Sequence, residues 1–189
     1  MQIHKTDIPG AFVVVPEFIG DARGAFFESV RTDELSRLAG TEFQSRQLNY
    51  SVSKKNVIRG IHSVTIPPGQ AKYVTCVRGE LRDFLIDLRI GSPTFGHHIE
   101  NILDAEGGRG LYIPPGVGHG FLTLRHDTCI CYALSNEYVP GTQIDINPLD
   151  PDIALPWGFT EPPLISAKDA NAPSLLETIA ARRLSSWTD

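Results

Sequence analysis

Between Ala11 and Tyr138 the chain is a succession of short apolar or alternating runs cut by turn residues. AFVVV (11–15), GAFFESV (24–30), QLNYSVS (47–53), AKYVTCV (71–77), ELRDFLIDL (80–88) and TCICYAL (128–134) have strand-like composition and period. Between them stand Gly20-Asp21, Pro67-Pro68-Gly69, Gly91-Ser92-Pro93, Gly107-Gly108 and Pro114-Pro115-Gly116, which turn a chain rather than extend it. Turn-bounded strands at this spacing predict an all-β sandwich or barrel. Two segments follow helical rules instead. Residues 32–39 carry Asp33 and Glu34 in their first turn and meet Gly40 as a stop. Residues 175–184 follow Pro173 and a capping box, Ser174-x-x-Glu177, with Arg182 and Arg183 suited to a last turn. The expectation is one domain over 1–189, with a barrel core of about 11–138 and a C-terminal segment, 139–189, packed on it.

Composition narrows the class. The 17 glycines and 14 prolines among 189 residues make a helical bundle improbable, and a 41% hydrophobic content can fill a barrel core. The longest apolar run, Cys129 to Leu134, is six residues, far short of a membrane span. The opening MQIHKTDIPG has no apolar stretch of signal-peptide length. Cys76, Cys129 and Cys131 form no CxxC pair and read as reduced thiols of a cytoplasmic protein. A net charge of −5 argues against a general nucleic-acid binder. An anionic small molecule stays open, its charge to be met by local arginines.

Two expected hairpins collect polar residues on one face. If 71–77 and 80–88 turn at Arg78-Gly79, then Lys72, Val74, Cys76, Asp83 and Leu85 share a side. Tyr73, Thr75, Val77, Phe84, Ile86 and Leu88 occupy the other, so both faces are partly apolar, as in a barrel covered on its outside. Lys72 then lies diagonally from Asp83. The pair serves equally as a structural ion pair at a barrel mouth or as part of a site. If 118–125 and 128–135 turn at His126-Asp127, Phe121 pairs with Tyr132, and His119, Phe121, Thr123, Ile130 and Tyr132 share a face.

Gly60-Ile61-His62 and Pro114-Pro115-Gly116-Val117-Gly118-His119 resemble the two histidine motifs of the cupin superfamily. Metal-binding cupins add a second histidine and a glutamate after the first. Here Ser63 and Val64 follow His62, and the next acidic residue is Glu80. Two histidines without a nearby carboxylate make a poor Fe(II) or Zn(II) site, so no metal and no cofactor is expected.

An ordered set of segments is more specific. DARGAFFES (21–29), QLNYS (47–51), IRGIH (58–62), PPGQAKYVTCVRGEL (67–81), DLRIGSPTFG (87–96), YIPPGVGHGF (112–121), the Tyr132 and Tyr138 region and ISAKD (165–169) resemble the dTDP-4-dehydrorhamnose 3,5-epimerases, from about residue 3 to 175. That resemblance implies a cupin-like jelly-roll barrel and a metal-free homodimer. It also implies an isomerase inverting stereocentres beside the C4 ketone of dTDP-4-dehydro-6-deoxy-glucose. Carried over by residue, it makes His62 the general base oriented by Asp169, Lys72 the stabiliser of the enolate and Tyr132 the proton donor on the opposite side. Arg23 and Arg59 would hold the diphosphate with His119, and Gln47 and Asn49 would bind the nucleotide. Tyr138 would stack on thymine. Phe26 to Glu28 would reach a neighbouring subunit's site, and Asp83, diagonal to Lys72, is counted with the substrate-binding set.

These residue types suit the chemistry. A proton beside a ketone is removable when a cation stabilises the oxyanion that develops. Histidine titrates near neutrality, and a carboxylate fixes its tautomer. Three positions depart from the rhamnose-pathway pattern. His62-Ser63-Val64 replaces His-Tyr-Gln, Asn147-Pro148-Leu149-Asp150-Pro151 replaces a Trp-Asn-Asp-Pro run, and Gln143 replaces a common glutamate. These resemble the branch making deoxysugars for antibiotics, some members of which invert C3 alone. The competing readings are a metal-dependent cupin oxygenase, a sugar 3,4-ketoisomerase, and a silent sugar-nucleotide-binding jelly roll. The silent module would keep Arg23, Arg59 and Tyr138 without needing His62, Lys72 and Tyr132 together.

Overall fold

A computed structural model describes residues 1–187 of the chain. Its strands are β1 (Gln2–Lys5), β2 (Phe12–Val15), β3 (Ile19–Asp21), β4 (Gly24–Phe26), β5 (Gln47–Ser53), β6 (Val57–Val64) and β7 (Lys72–Arg78). They continue as β8 (Glu80–Asp87), β9 (His98–Asp104), β10 (Gly110–Ile113), β11 (Val117–Thr123), β12 (Thr128–Leu134), β13 (Gln143–Asp145) and β14 (Leu164–Ile165). The helices are α1 (Thr32–Ala39), α2 (Ala167–Ala170) and α3 (Leu175–Ala180). One sheet runs β1-β2-β10-β7-β12-β5 and the second β13-β6-β11-β8-β9, with β14 added parallel to β6. The expected all-β barrel is therefore present as two facing sheets. The C-terminal expectation extends to residues 188–189, which lie outside the described residues. Among the described residues no helix is long and apolar enough to cross a membrane.

Neither expected hairpin forms. β7 pairs with β10 and β12, whereas β8 pairs with β11 and β9, so the turn at Arg78-Gly79 is a crossing between sheets. The His126-Asp127 turn likewise leads from β11 in one sheet to β12 in the other. The two corners lock together. Gly79 has φ +83°, and a Cβ there would lie 2.5 Å from Thr128 Oγ1. Thr128 in turn donates to the Glu80 and Arg125 carbonyls. Facing survives although pairing fails. Val74, Cys76, Leu85, Phe121 and Ile130 meet in one buried cluster between the sheets, with Tyr132 against it. Tyr73 packs outside the first sheet beside Leu35 of α1, and Phe84, Ile86 and Leu88 pack outside the second beneath Trp157 and Leu175.

The helix over 32–39 has the expected limits, ending at Gly40 with φ +70°. The capping box of Ser174 and Glu177 is formed, but α3 stops at Ala180 and Arg182 takes φ +53°. Arg182 and Arg183 therefore fall beyond the last turn. The strand expected over 24–30 is shorter: β4 ends at Phe26 and closes an exposed two-stranded hairpin with β3.

One irregularity builds the site. In the β6–β11 pair His119 lies opposite His62, but Phe121 lies opposite Arg59, with a register shift between them. The extra residue on β6 is a bulge. It places Arg59 and His62, three apart and so on opposite sides of a regular strand, on one face. Ile58 and Ile61 share the other face, in the outer core. Gly60 makes the bulge possible. It has φ +125°, and a Cβ there would lie 2.5 Å from Gly120 Cα and 2.8 Å from the His119 carbonyl. Gly60→Ala should lower folding stability by about 3–4 kcal/mol, because backbone rather than a mobile side chain must yield. Chemical denaturation checks this, and a loss below 1 kcal/mol would contradict the contact.

Candidate active site

A cavity of about 570 Å³ opens between the two sheets. Its walls bring together Gln47, Asn49, Arg59, His62, Lys72, His119, Tyr132 and Tyr138 from the sequence expectation. Arg59, His62 and His119 stand on the β6–β11 wall. Lys72 and Tyr132 stand on the facing β7–β12 wall, where Leu134 pairs with Lys72 and Tyr132 with Val74. A molecule held in the cavity is thus approached from two sides.

His62 donates from Nε2 to Asp169 Oδ1 at 2.8 Å, leaving Nδ1 as its unprotonated nitrogen. Asp169 comes from α2, a single turn capped by the Ser166 hydroxyl, which accepts from the Asp169 N–H. β14 beside β6 delivers this turn behind His62, and Asn147 pins its end through the Ala170 carbonyl. Burial pushes the Asp169 carboxyl up. Bonds from His62, the Gly60 N–H and Ser166 outweigh this and hold it below the usual carboxylate range. It stays ionised and fixes the tautomer of the ring.

On the facing wall burial pushes Lys72 down to about 8 from an ordinary 10.5, against the upward pull of Asp83 and Asp145. Burial pushes the Tyr132 hydroxyl well above its ordinary value, although Ser51, 3.2 Å away, opposes this. Lys72 is therefore a cation near neutral pH that is close to losing its proton. Tyr132 holds its proton throughout.

Asp83 is buried and accepts from His119 Nε2 at 2.7 Å. The expected Lys72–Asp83 pair is thus a charge–charge relation, with the hydrogen bond going to His119. Gln47 joins two neighbours: its amide donates to Asn49 Oδ1 at 2.9 Å and its Oε1 accepts from the Tyr138 N–H at 2.8 Å. Arg59 is steadied by donating to Ser53 Oγ. Tyr138 keeps its ring largely exposed at the rim.

Arg23, Phe26 and Glu28 do not line this cavity. Arg23 is forked onto Asp21, Glu28 bonds Arg31, and Phe26 is 66% exposed on the β3–β4 hairpin. Four contributors escaped the sequence reading: Ser51, Gln70, Asp145 and Lys168. Ser51 had a local signal, since Gln47, Asn49 and Ser51 alternate along one strand. Asp145 had none, because only the β13–β6 pairing brings it opposite His62.

His62, Asp145 and Asp169 each offer a ligand atom within 4.8 Å of the others, so the expectation of histidines without carboxylates nearby is corrected. The set is already satisfied by protein partners. His62 Nε2 is bonded to Asp169, and Lys168 Nζ lies 2.9 Å from Asp145 Oδ1.

Residues 5–177 match the sequence profile of the family described as dTDP-4-dehydrorhamnose 3,5-epimerase. The chain is 41% identical over 189 residues to the dTDP-4-dehydrorhamnose 3,5-epimerase of Mycolicibacterium smegmatis, covering 100% of this chain and 93% of that protein. It superposes with TM-score 0.95 and 40% identity on NovW, a 4-keto-6-deoxy sugar epimerase from the novobiocin biosynthetic gene cluster of Streptomyces spheroides, covering 99% and 94% of the two chains. It superposes with TM-score 0.92 and 39% identity on ChmJ, a 3'-monoepimerase from Streptomyces bikiniensis solved with dTDP-quinovose, covering 97% and 92%.

Proposed function

The chain belongs to the dTDP-4-dehydrorhamnose 3,5-epimerase family, and we propose on that premise that it is an isomerase inverting C3 of dTDP-4-dehydro-6-deoxy-glucose. The observation that carries the reading is the division of the cavity: a carboxylate-oriented histidine on one wall, and a cation and a protonated phenol on the other. His62 Nδ1 takes the C3 proton, and the C–H electron pair becomes the C3–C4 double bond. The C4 oxygen takes the negative charge, which Lys72 stabilises. Tyr132 then protonates C3 from the opposite face, inverting it. His62 releases its proton to solvent and the phenolate regains one, so the net change is isomerisation alone.

Arg59 and His119 suit the diphosphate, Gln47 and Asn49 the nucleotide, and Tyr138 the thymine ring. Retention of His62, Lys72 and Tyr132 together favours an enzyme over a silent binding module. Incubation with dTDP-4-dehydro-6-deoxy-glucose, followed by proton NMR, tests the reading. A C3 epimer is expected, unchanged sugar contradicts it, and a second new coupling pattern would add C5. The Ser63, Val64 and Gln143 departures favour C3 alone.

The Lys72 value adds a pH expectation. Deprotonation above about pH 8 removes the cation facing the enolate oxygen, so kcat/KM should fall above that pH. A pH–rate profile flat to pH 9.5 would contradict the role.

The working unit in this reading is a cytoplasmic homodimer of a single-domain chain. β5 is an edge strand whose Leu48, Tyr50 and Val52 are 60%, 64% and 55% exposed, an apolar edge suited to a second copy. The β3–β4 hairpin bearing Arg23 and Phe26 stands clear of its own cavity, as an arm for a neighbour would. Sedimentation equilibrium at micromolar concentration should give a dimer, and a monomer would count against this. The free thiols of Cys76, Cys129 and Cys131 suit a reducing compartment.

A further inference from the structure

A second carboxylate faces the base, and its charge is already taken. Asp145 sits opposite His62 in the β13–β6 pairing, and its Oδ1 lies 3.7 Å from His62 Nε2. The same oxygen lies 2.9 Å from Lys168 Nζ, which also donates to Gln143 Oε1 at 3.1 Å. Lys168 immediately precedes Asp169 on α2, so one helical turn delivers both the bonded carboxylate and the cation that occupies the other one.

We infer that Asp145 and Lys168 are a positioning pair for His62: Lys168 claims the Asp145 oxygen that faces the imidazole, leaving Asp169 as its hydrogen-bond partner. The inference rests on the reading of His62 as the base. A base must be neutral before it can take a proton, and each unpaired carboxylate nearby stabilises the imidazolium instead. A second free carboxylate would favour the imidazolium over the neutral ring that the base needs. Lys168 cancels one of them.

The other charged or titratable groups lining the cavity with His62 are Lys72 on β7, His119 and Arg59 on its own wall, Tyr132 opposite, Tyr50 on β5 and Tyr138 at the rim. Asp145 also acts on Lys72. Lys168 thereby moderates the base and the enolate-stabilising cation through a single oxygen.

The test reads His62 directly, by NMR titration of histidine-labelled protein without substrate, its resonance assigned through His62→Asn. Lys168→Met should raise the His62 midpoint by about half to one pH unit, the pair being partly exposed and screened. Lys168→Arg, which keeps the cation, should restore the wild-type midpoint. In an Asp145→Asn background, adding Lys168→Met should move nothing further. An unmoved midpoint in Lys168→Met, or an equal rise in the Asp145→Asn background, would overturn the pair. The acid limb of kcat/KM separates the two claims. If the NMR midpoint moves and the acid limb does not, the pair stands and His62 is not the base.

Discussion

His62→Asn should reduce exchange of the C3 proton by about 10³-fold or more while leaving dTDP affinity nearly unchanged. The magnitude is that expected when a positioned general base is removed from a proton-transfer step. His62 offers one nitrogen to Asp169 and leaves the other free for the cavity. Asparagine can still donate a hydrogen bond, but it cannot accept a proton at neutral pH. The groups assigned to the nucleotide, Gln47, Asn49 and Tyr138, are joined to one another and not to His62, so their arrangement should persist. Weakening the bond to the buried Asp169 should lower stability by about 1–2 kcal/mol, with the fold intact. Proton–deuterium exchange by NMR and dTDP binding by calorimetry check the two halves. Near-normal exchange would transfer the base role to another residue.

Tyr132→Phe should separate removal of the proton from its replacement. The hydroxyl sits on the wall facing His62, and burial keeps it protonated across the working pH range. Without it, His62 can still deprotonate C3, and the enolate recovers a proton mostly from His62 on the original side. Hydrogen exchange should therefore continue while inversion falls by about 10²-fold or more. Phenylalanine keeps the ring volume, and the lost partner is the partly exposed Ser51 hydroxyl, so the fold should tolerate the change. A purely packing role for Tyr132 makes a different forecast, a lower melting temperature with an unaltered ratio of exchange to inversion. Both quantities come from one NMR sample, and a wild-type ratio would remove Tyr132 as the donor.

Much of the cavity was legible in the sequence because strand facing is local. The alternation of Lys72, Val74 and Cys76 on one side of a strand, and of His119 and Phe121 on another, needs only a period of two. Pairing is not local. Which sheet a strand joins was decided at Gly79 and Thr128, where a left-handed glycine packs against a residue about fifty positions later, and short turns mimicked hairpins. Arg59 and His62 show the same limit more sharply. Their spacing of three opposes them on a regular strand, and the Gly60 bulge reunites them. The Asp169 partner, 107 residues from His62, was reached by family resemblance alone, because a four-residue helix has no hydrophobic period to read. Asp145 was missed for the equivalent reason on a three-residue strand. Arg23 and Phe26 belong to an exposed hairpin, with Glu28 just beyond it, that stands clear of the cavity, and no period along the chain says what such a hairpin meets.

The most direct test of two residues acting from opposite walls is the origin of the hydrogen in the first product formed. Wild-type protein, in excess over dTDP-4-dehydro-6-deoxy-glucose in deuterium oxide, should give a C3 epimer carrying solvent deuterium at C3 from the first turnover. An epimer that retains the substrate's own hydrogen at C3, or a sugar neither labelled nor inverted, would contradict the account.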